Sequence, residues 1–389
     1  FWLKQPWLGQ PLLRPPRAEP LQGQPPPHAA RRGEAPAGRR MVAWAAALWL
    51  LAALCLGALL APLWSRLDEV RRKLALVAYG GLYLVLSRDG QFQLPPDPGK
   101  SSGSVCKTKT IVFVRHGESS WNECFNRGVG LGALLRVALA LAQELAMLLS
   151  LDSLFFDSPL SREGLSQAEE LRRFLECPDG SELRGLCGAA VLASSCLRRA
   201  ACTGLLAFRW ALGDGRPVWA LSCLQEISRN VDTLTLCAAH RPPPLPAPLP
   251  GGPAPGSLPA GCLQAAYNFG NKGLAGNGGQ RLEAFCEWAF SDCSPAALQP
   301  AVVVFGHSLW FRTFFQVFLP HAAYHECKHA KIVNCGVVAF ELELLGGSES
   351  GRTEYRVRPG SVRTLYGGFE GSKQKRRQRC AEHPPEKQD

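Results

Sequence analysis

Charged residues are absent from one long stretch near the amino terminus, positions 42–64, which reads VAWAAALWLLAALCLGALLAPLW. Because it has no polar face, this stretch is a poor candidate for a helix of a globular core. About 20 apolar residues suffice to cross the hydrocarbon core of a bilayer, and Arg39 and Arg40 precede the stretch. We therefore predict a transmembrane helix over 41–64 in a single-pass membrane protein. A cleaved signal peptide is the competing interpretation, but its apolar core would be shorter.

A second apolar run, 74–86, is too short to span a bilayer comfortably by itself and follows the basic cluster 71–73. It could lie in the membrane interface, with Tyr79 and Tyr83 at headgroup level, or complete a tight membrane hairpin. Both alternatives stay open because positive charges flank the stretch 42–64 on both sides. We predict that 65–107 is a juxtamembrane linker that contains this second apolar segment.

Serine is absent from the first forty residues, and acidic residues are scarce there. The lack of serine argues against an organelle transit peptide, although the segment contains arginine. Its proline, arginine, alanine and glycine content predicts disorder over 1–40. This segment is either a targeting extension or translated sequence upstream of Met41, the first methionine, and thus not part of the native protein.

A disulfide framework is also absent, since the fifteen cysteines are scattered and odd in number. Such usage predicts reduced thiols and hence a catalytic domain in the cytosol. The formal net charge of +11 comes partly from basic tails such as KQKRRQR at 373–379, so nucleic-acid binding does not follow from it. A basic tail beside a membrane would attract anionic lipid headgroups. We predict that 359–389 is a disordered basic tail.

The most informative motif of the chain is RHGES at 115–119, directly after the apolar run IVFV at 111–114. A β-branched run of this kind predicts a buried strand, and its carboxyl end is where α/β sheets bind ligands. An arginine fork fits phosphate oxygens, and histidine is nucleophilic near neutral pH. Arg115 and His116 are therefore candidates for holding and attacking a phosphoryl group.

The longer string RHGESSWN, Arg115 to Asn122, resembles the signature of the histidine phosphatase superfamily, whose best-known branch is the cofactor-dependent phosphoglycerate mutases. This resemblance implies that His116 is the nucleophile and becomes a phosphohistidine. It also implies that Arg115 and Asn122 bind the phosphate. The family's pattern further implies three pieces from distant parts of the chain.

The first of these pieces is SCLRRAACT at 195–203, which is similar to the family's Ser-x-Leu-x-Arg-Ala-x-x-Thr pattern. Position by position, Arg199 rather than Arg198 matches the family's phosphate-binding arginine. It follows the apolar stretch 189–193, so we expect it where a strand gives way to a helix. A helix amino terminus attracts anions in its own right.

The second piece is VVVFGHS at 302–308, another buried-strand pattern that ends in histidine. By resemblance, His307 is the second catalytic histidine and also binds the phosphate, stabilising charge on the transferring group. The family often has glycine where this chain has Ser308. Arg312 matches another recurrent basic position of the family and supports the resemblance.

The third piece is a carboxylic acid that protonates the leaving group. The family's acid follows the strand after the Arg199-type helix, and here 218–224 predicts that strand. Glu226 is the predicted acid and Asp232 the alternative. The mutases carry Leu-Asn-Glu-Arg-His-Tyr-Gly at this point, whereas 224–230 reads LQEISRN and keeps the glutamate and the leucine but loses the rest.

This departure bears on the reaction. The residues after Asn122, ECFNRGVGLG at 123–132, also differ from the mutases. We therefore predict a membrane-anchored phosphomonoester hydrolase acting on a phosphorylated small molecule or phosphoprotein. A phosphoglycerate-type phosphomutase is one alternative, and a non-catalytic membrane-tethered scaffold is the other. The resemblance implies neither a cofactor nor a metal.

The resemblance extends over 108–358 and implies one domain there, and the alternation of strands and helices within it predicts an α/β fold. We expect a three-layer sandwich, with a mostly parallel central sheet covered by helices on both faces and preceded by the membrane helix. A helix is predicted from Ser161, where apolar residues recur at helical spacing. The closing strand is expected within 331–343.

Two insertions are predicted within this domain. The apolar segment 129–149, whose only charged residues are Arg136 and Glu144, predicts a cap helix over the site or a membrane-contacting element. The proline-rich segment 241–261 predicts a disordered or polyproline II loop, with an SH3-type domain as a possible partner. Neither insertion identifies the substrate.

One further cluster bears donors that zinc uses, in the sequence HAAYHECKHAK: His321, His325, Cys327 and His329. A surface or cap location is the favoured interpretation. Zinc is the alternative, because spacings of four and two could bring these side chains together on a helix or turn.

Overall fold

A computed structural model describes residues 49–51, 54, 67–101, 103–128, 130–213, 215–245, 261–346 and 353–371. The chain divides into two compact units, Phe1–Pro62 and Leu63–Asp389, and the elements below belong to the second. Its strands are β1 (Ser104–Arg115), β2 (Ala190–Ser195), β3 (Val218–Leu221), β4 (Leu263–Gln264), β5 (Ala301–Gly306), β6 (Val337–Gly346), β7 (Glu354–Val357) and β8 (Arg363–Tyr366). Its helices are α1 (67–86), α2 (Ser120–Phe125), α3 (Leu131–Ala146), α4 (Arg162–Glu176), α5 (Ser181–Gly188), α6 (Arg198–Ala207), α7 (Arg209–Gly213), α8 (Gly278–Phe290) and α9 (Ser308–Phe318).

These strands form one eight-stranded sheet in the order β4-β3-β2-β5-β1-β6-β7, with β8 also paired to β6. Strands β1 to β5 pair with one another in parallel, whereas β6, β7 and β8 pair antiparallel. The sheet is therefore mixed, with parallel pairing from the β4 edge to β1 and antiparallel pairing beyond β1. This agrees with the predicted α/β fold.

The central strands are buried on both faces, which explains their continuous apolar sequences. In β1, Ile111 and Phe113 belong to one apolar cluster, which α8 and α9 cover. Val112 and Val114 belong to a second cluster, which α4, α5 and α6 cover. Because successive side chains of a strand point to opposite faces, the two clusters are two core layers on either side of the sheet.

The predicted helix after Ser161 is α4, and Ser161 caps it by accepting a hydrogen bond from the backbone N–H of Gly164 at 3.1 Å. The strand predicted over 218–224 is shorter, because β3 ends at Leu221 and a 3₁₀ turn, Ser222–Leu224, follows. The predicted closing strand is β6, displaced towards the carboxyl terminus.

Helix α1 corrects the prediction of a juxtamembrane linker over 65–107, because it packs on the α/β domain. Tyr83 is fully buried and belongs to a third apolar cluster with Phe156 and Leu234. The Lys73 ammonium donates to the carbonyl of Met147 at 2.8 Å, just beyond the end of α3. The basic residue Lys73 is thus a buried anchor and not part of a solvated charge cluster.

The predicted disordered tail, 359–389, also begins too early. Strand β8 adds to the sheet beside β6, and the backbone N–H of Glu370 donates to the carbonyl of Lys331 at 2.8 Å. These contacts make residues up to 371 part of the domain. The basic run 373–379 lies outside the described residues.

Several other predictions fall wholly or mainly outside the described residues: the segment 1–40, most of the predicted membrane helix 41–64, and most of the proline-rich loop 241–261. Within the described part of the chain, the helices are all too short or too polar to cross a bilayer. Membrane attachment therefore stays a prediction from sequence.

Candidate active site

The two histidines that end apolar runs lie side by side. Strands β1 and β5 are parallel neighbours, with Arg115 in register with Gly306, so His116 and His307 leave the sheet at the same edge. The His116 N–H donates to the Gly306 carbonyl at 3.0 Å, and the two imidazole centroids are 5.0 Å apart. Adjacent parallel strands thus place both predicted catalytic histidines in one buried site.

The His116 ring has a defined tautomer. Its Nδ1 lies 2.5 Å from the carbonyl oxygen of Gly117, and a carbonyl can only accept, so Nδ1 carries the proton. Nε2 is then the basic nitrogen. Burial, together with the charges of Arg199 and Arg115, holds the pKa of His116 well below its ordinary value. The imidazole is therefore neutral at pH 7, as a nucleophile must be.

The loop after His116 is held against the start of α4. A Cβ added to Gly117 would lie 2.5 Å from the carbonyl oxygen of Gly164, so only glycine allows this close approach. The Gly117 N–H donates to the hydroxyl of Thr203 on α6 at 3.1 Å. The backbone after His116 is therefore held between the first turn of α4 and α6.

His307 is fully buried at the amino-terminal cap position of α9. Among the described residues, neither of its ring nitrogens has a hydrogen-bonding partner. Burial and the neighbouring charge of Arg199 hold the pKa of His307 well below its ordinary value. An unsatisfied buried polar ring is costly, which is expected where a ligand supplies the partner.

Arg198 and Arg199 are consecutive in α6 but have different partners. Arg198 donates to the backbone of 153–157 and pairs with Asp152 at 2.5 Å, so it holds a loop in place. Arg199 is 2% exposed, and its charge acts on both histidines. Its Nη1 donates to the carbonyl of Asp232 at 2.8 Å, and its Nε lacks a partner among the described residues. Arg199, and not Arg198, is thus the arginine whose charge acts on both histidines.

Arg115, at the end of β1, carries a second guanidinium into the site. Its Nη1 donates to the Ile332 carbonyl and pairs with Glu370 at 2.8 Å. Its Nε has no partner in the described part of the chain. The predicted phosphate contact of Arg115 stays a prediction, and no motif indicates its partner Glu370, which lies 255 residues away.

Glu226 reaches the site from the segment after β3 and faces the first turn of α9. Its carboxylate accepts from the backbone N–H groups of Trp310 at 2.8 Å and Leu309 at 3.2 Å. Burial raises the pKa of Glu226, while these two bonds and the charge of Arg199 oppose the rise. A carboxyl group with a raised pKa beside a phosphate pocket suits a proton donor.

The carboxylate of Asp232, the alternative acid, has a different partner from that of Glu226. Its carboxylate lies 3.3 Å from Nη2 of Arg199, while burial raises its pKa against the effect of that arginine. Asp232 therefore orients Arg199, and its Oδ1 has no partner among the described residues. Glu226 stays the predicted acid and Asp232 the alternative.

Sequence reasoning missed a buried cation beside the site. Lys272 donates to the carbonyl of Glu226 at 2.8 Å and pairs with the fully buried Asp89 at 3.0 Å. Burial lowers the pKa of Lys272 to about 8, although Asp89 opposes this, and its charge acts on His307. No local motif marks Lys272, because its partners come from separate parts of the chain.

Asn122 and Arg312 are two further residues that the sequence associates with the site. Asn122 lies in the first turn of α2, and its side-chain oxygen accepts from Asn126 at 3.0 Å. Arg312 is partly buried on α9, and its Nε has no partner among the described residues. The predicted phosphate contact of Asn122 stays a prediction.

The predicted zinc alternative does not fit the geometry, since the described residues contain no group of three or more His, Cys, Asp or Glu side chains that could hold a metal. The His325 ring accepts from the backbone N–H of Cys327 at 3.1 Å, which closes a local turn. The thirteen cysteines among the described residues carry free thiols.

No protein-family model matches the chain, and neither does any curated protein sequence. Similar solved structures include the phosphoserine phosphatase of Entamoeba histolytica in complex with 3-phosphoglyceric acid, at 15% identity and a TM-score of 0.30, covering 60% of this chain and 90% of that one. A phosphoglycerate mutase from Bacillus anthracis has 15% identity and a TM-score of 0.32, covering 65% and 93%. A mycobacterial glucosyl-3-phosphoglycerate phosphatase with VO3 has 15% identity and a TM-score of 0.32, covering 65% and 98%. These are phosphatases and a mutase, the kinds of enzyme that the sequence resemblance names. At such identities and TM-scores, the chemistry must be argued from the side chains.

Proposed function

We propose that this chain is a phosphomonoester hydrolase that works through a phosphohistidine at His116. The observation that carries the proposal is the buried pair of neutral imidazoles, with the basic Nε2 of His116 beside an unsatisfied His307. Two guanidinium groups, of Arg115 and Arg199, supply the positive charge. Phosphoryl transfer of this kind requires a neutral nucleophile, buried hydrogen-bond donors and fixed cations.

In the first step, Nε2 of His116 attacks phosphorus and the ester P–O bond breaks. Negative charge on the equatorial oxygens is balanced by Arg115 and Arg199, while His307 donates a hydrogen bond. The Glu226 carboxyl transfers its proton to the departing oxygen, which leaves as an alcohol. His116 keeps its Nδ1–H bonded to the Gly117 carbonyl, and this bond orients the ring.

In the second step, water attacks the phosphohistidine and the P–N bond breaks. Glu226, now a carboxylate, takes the proton from that water, so the acid of the first step is the base of the second. Inorganic phosphate leaves, and both His116 and Glu226 return to their starting forms. Atoms and charges balance without a further reactant.

Hydrolysis is favoured over mutase chemistry because the mutase-like sequence stops after Asn122 and because 224–230 keeps only the leucine and the glutamate of the mutase motif. A mutase must protect its phosphoenzyme from hydrolysis. Neither 123–132 nor 224–230 matches the mutase sequence at the corresponding position. The substrate is proposed to be a phosphorylated small molecule or phosphoprotein. Attachment of the chain to a membrane through 41–64 is a separate proposal from sequence.

The test uses the full chain with a panel of phosphomonoesters, following phosphate release and acid-labile phosphohistidine. We expect both to be lost in His116→Ala, by several orders of magnitude in kcat/KM. His329→Ala, which changes an exposed histidine, is the matched control and keeps wild-type turnover.

Phosphate exchange between phosphoglycerates without net release would replace the hydrolase by a mutase. Absence of turnover and of phosphohistidine with every ester would leave the scaffold alternative. Turnover that survives in His116→Ala would refute the proposed nucleophile.

A further inference from the structure

Helix α3 presents apolar side chains to the outside. Its outward residues follow helical spacing and form one continuous strip along the helix. Their exposed fractions run from 55% to 84%, and they are Leu131, Leu134, Leu135, Leu139, Leu141 and Leu145. Leu148 and Leu149 extend the strip beyond the end of the helix, at 43% and 71% exposure.

The two charged residues of α3 lie on the opposite, less exposed side. Glu144 accepts from the hydroxyl of Ser153 at 2.9 Å and from the backbone N–H of Leu154 at 2.7 Å. Arg136 donates to the carbonyl of Arg127 at 3.4 Å. The usual arrangement of a surface helix, with polar residues outside, is therefore inverted.

Helix α1, beside the end of α3, also exposes apolar side chains, together with the charged residues Asp68 and Arg71. Lys73 on its inner side pairs with Glu144 at 3.1 Å, which joins the two helices. The outer side of α1 also carries leucine and valine side chains, 44% to 72% exposed: Leu74, Val77, Leu82, Leu84, Val85 and Leu86. These residues and the α3 strip together form what we call the apolar face.

An exposed apolar surface of this extent marks an interaction site, and its occupant follows from the chain that leads into it. The uncharged segment 42–64 ends three positions before the described part of α1 begins. If that segment crosses a bilayer, as its sequence predicts, residue 67 lies within about 10 Å of its end, because each residue spans at most about 3.6 Å. Arg71 and Arg72 add positive charge that anionic headgroups attract.

We propose that the apolar face docks on a lipid bilayer, with the outward leucines of α3 inserted at the level between headgroups and acyl chains. The catalytic domain would then be held against the membrane surface by two helices, in addition to any crossing segment. This inference does not depend on the proposed phosphatase activity.

The test reconstitutes the full chain in vesicles of phosphatidylcholine and phosphatidylserine at about 4:1, which supply the anionic surface. A trace of phosphatidylcholine with a photoreactive acyl chain labels residues that enter the bilayer, and peptide mass spectrometry locates the labels. This readout separates labelling of α3 from labelling of 42–64. We expect labelled peptides from both 131–149 and 74–86.

The variant Leu134→Gln, Leu135→Gln, Leu141→Gln and Leu145→Gln should reduce labelling of 131–149 at least about tenfold, because insertion scales with apolar area. Its matched control changes four exposed apolar residues outside the apolar face: Leu94→Gln, Phe269→Gln, Leu298→Gln and Tyr324→Gln. The control should be labelled like the wild type. Thermal unfolding midpoints of both variants should stay close to that of the wild type, since all eight side chains are exposed.

Wild-type protein that is labelled only within 42–64 would overturn the proposal. A dimer in detergent that dissociates in the α3 variant, with no labelling of 131–149, would show that a second copy covers the face instead. Equal labelling of the α3 variant and the wild type would also contradict it.

Discussion

At the residue scale, the site combines neutral histidines with permanent cations. Burial, Arg199 and Arg115 all disfavour protonation of His116, so its pKa lies well below 6.5. In the proposed mechanism, the same positive charge that would attract phosphate keeps His116 unprotonated. Glu226 is shifted the opposite way, because burial raises the pKa of a carboxyl group.

The pH dependence of kcat/KM follows from these directions. Activity requires unprotonated His116 and protonated Glu226, so it should fall on the acid side through a pKa below 6.5 and on the alkaline side through one above 4.5. We expect a bell-shaped profile after correction for ionisation of the ester. In Glu226→Gln the alkaline limb should disappear, and its persistence would assign that limb to another group.

The leaving group gives a second test of Glu226. An alkyl phosphate needs a proton on its departing oxygen, whereas p-nitrophenolate departs without one. Glu226→Gln should therefore lower kcat/KM about 10²- to 10⁴-fold for an alkyl phosphate and much less for p-nitrophenyl phosphate. Equal losses for both esters would point to a positioning role. Glu283→Gln, on α8, serves as the control.

At the scale of elements, the site is built from neighbouring strands. Glu226, Arg199, His307 and His116 follow β3, β2, β5 and β1, which lie side by side in that order. Parallel strands bring their carboxyl ends to one edge, so four distant segments converge without long loops. Helix α9 then fixes Glu226 through backbone N–H groups of its first turn.

A buried ionic cluster joins the segment after α1 to this edge. Asp89 pairs with Lys272 at 3.0 Å and also with Arg281, and although burial alone would raise its pKa, these cations hold the pKa of Asp89 below its ordinary value. Asp89→Asn should lower the free energy of unfolding by about 3–5 kcal/mol, because it leaves Lys272 buried without its counter-ion. Asp292→Asn, at an exposed pair, should have little effect in the same denaturant titration.

The pH dependence of this contribution has a definite sign. Because the folded pKa of Asp89 is depressed, its stabilisation is present above the unfolded value of 3.8 and is lost as pH falls through the folded pKa. The difference in stability between wild type and Asp89→Asn should therefore shrink in acid. A difference that stays constant down to acid pH would contradict the ion-pair explanation.

At the scale of the whole molecule, the net charge of +11 should assist the capture of anionic esters. Raising ionic strength from about 50 to 500 mM should lower kcat/KM about three- to tenfold through screening of the encounter. The kcat at saturation should change little, because the bound phosphate lies among buried groups. A fall in kcat alone would contradict capture by long-range charge.

Much of the site can be predicted because its signals are local. An apolar run ending in histidine indicates both a strand and the residue at its end, as at His116 and His307. The motif of α6 identifies Arg199 as the site arginine and excludes its neighbour Arg198. The predicted boundaries of the domain are wrong at both ends, because pairing of β8 and packing of Tyr83 depend on contacts that no local pattern records.

The sequence by itself determined which strands end in a histidine and where the arginines follow them, since these features are written in short motifs. Only the tertiary structure decided the protonation of those groups and their hydrogen-bonding and charged partners. The tautomer of His116, the pairing of Arg115 with Glu370 and the cation Lys272 beside Glu226 all depend on the folded backbone and on residues that no motif links. Such contacts follow no periodicity in the sequence, because they form only when the sheet and its loops pack together.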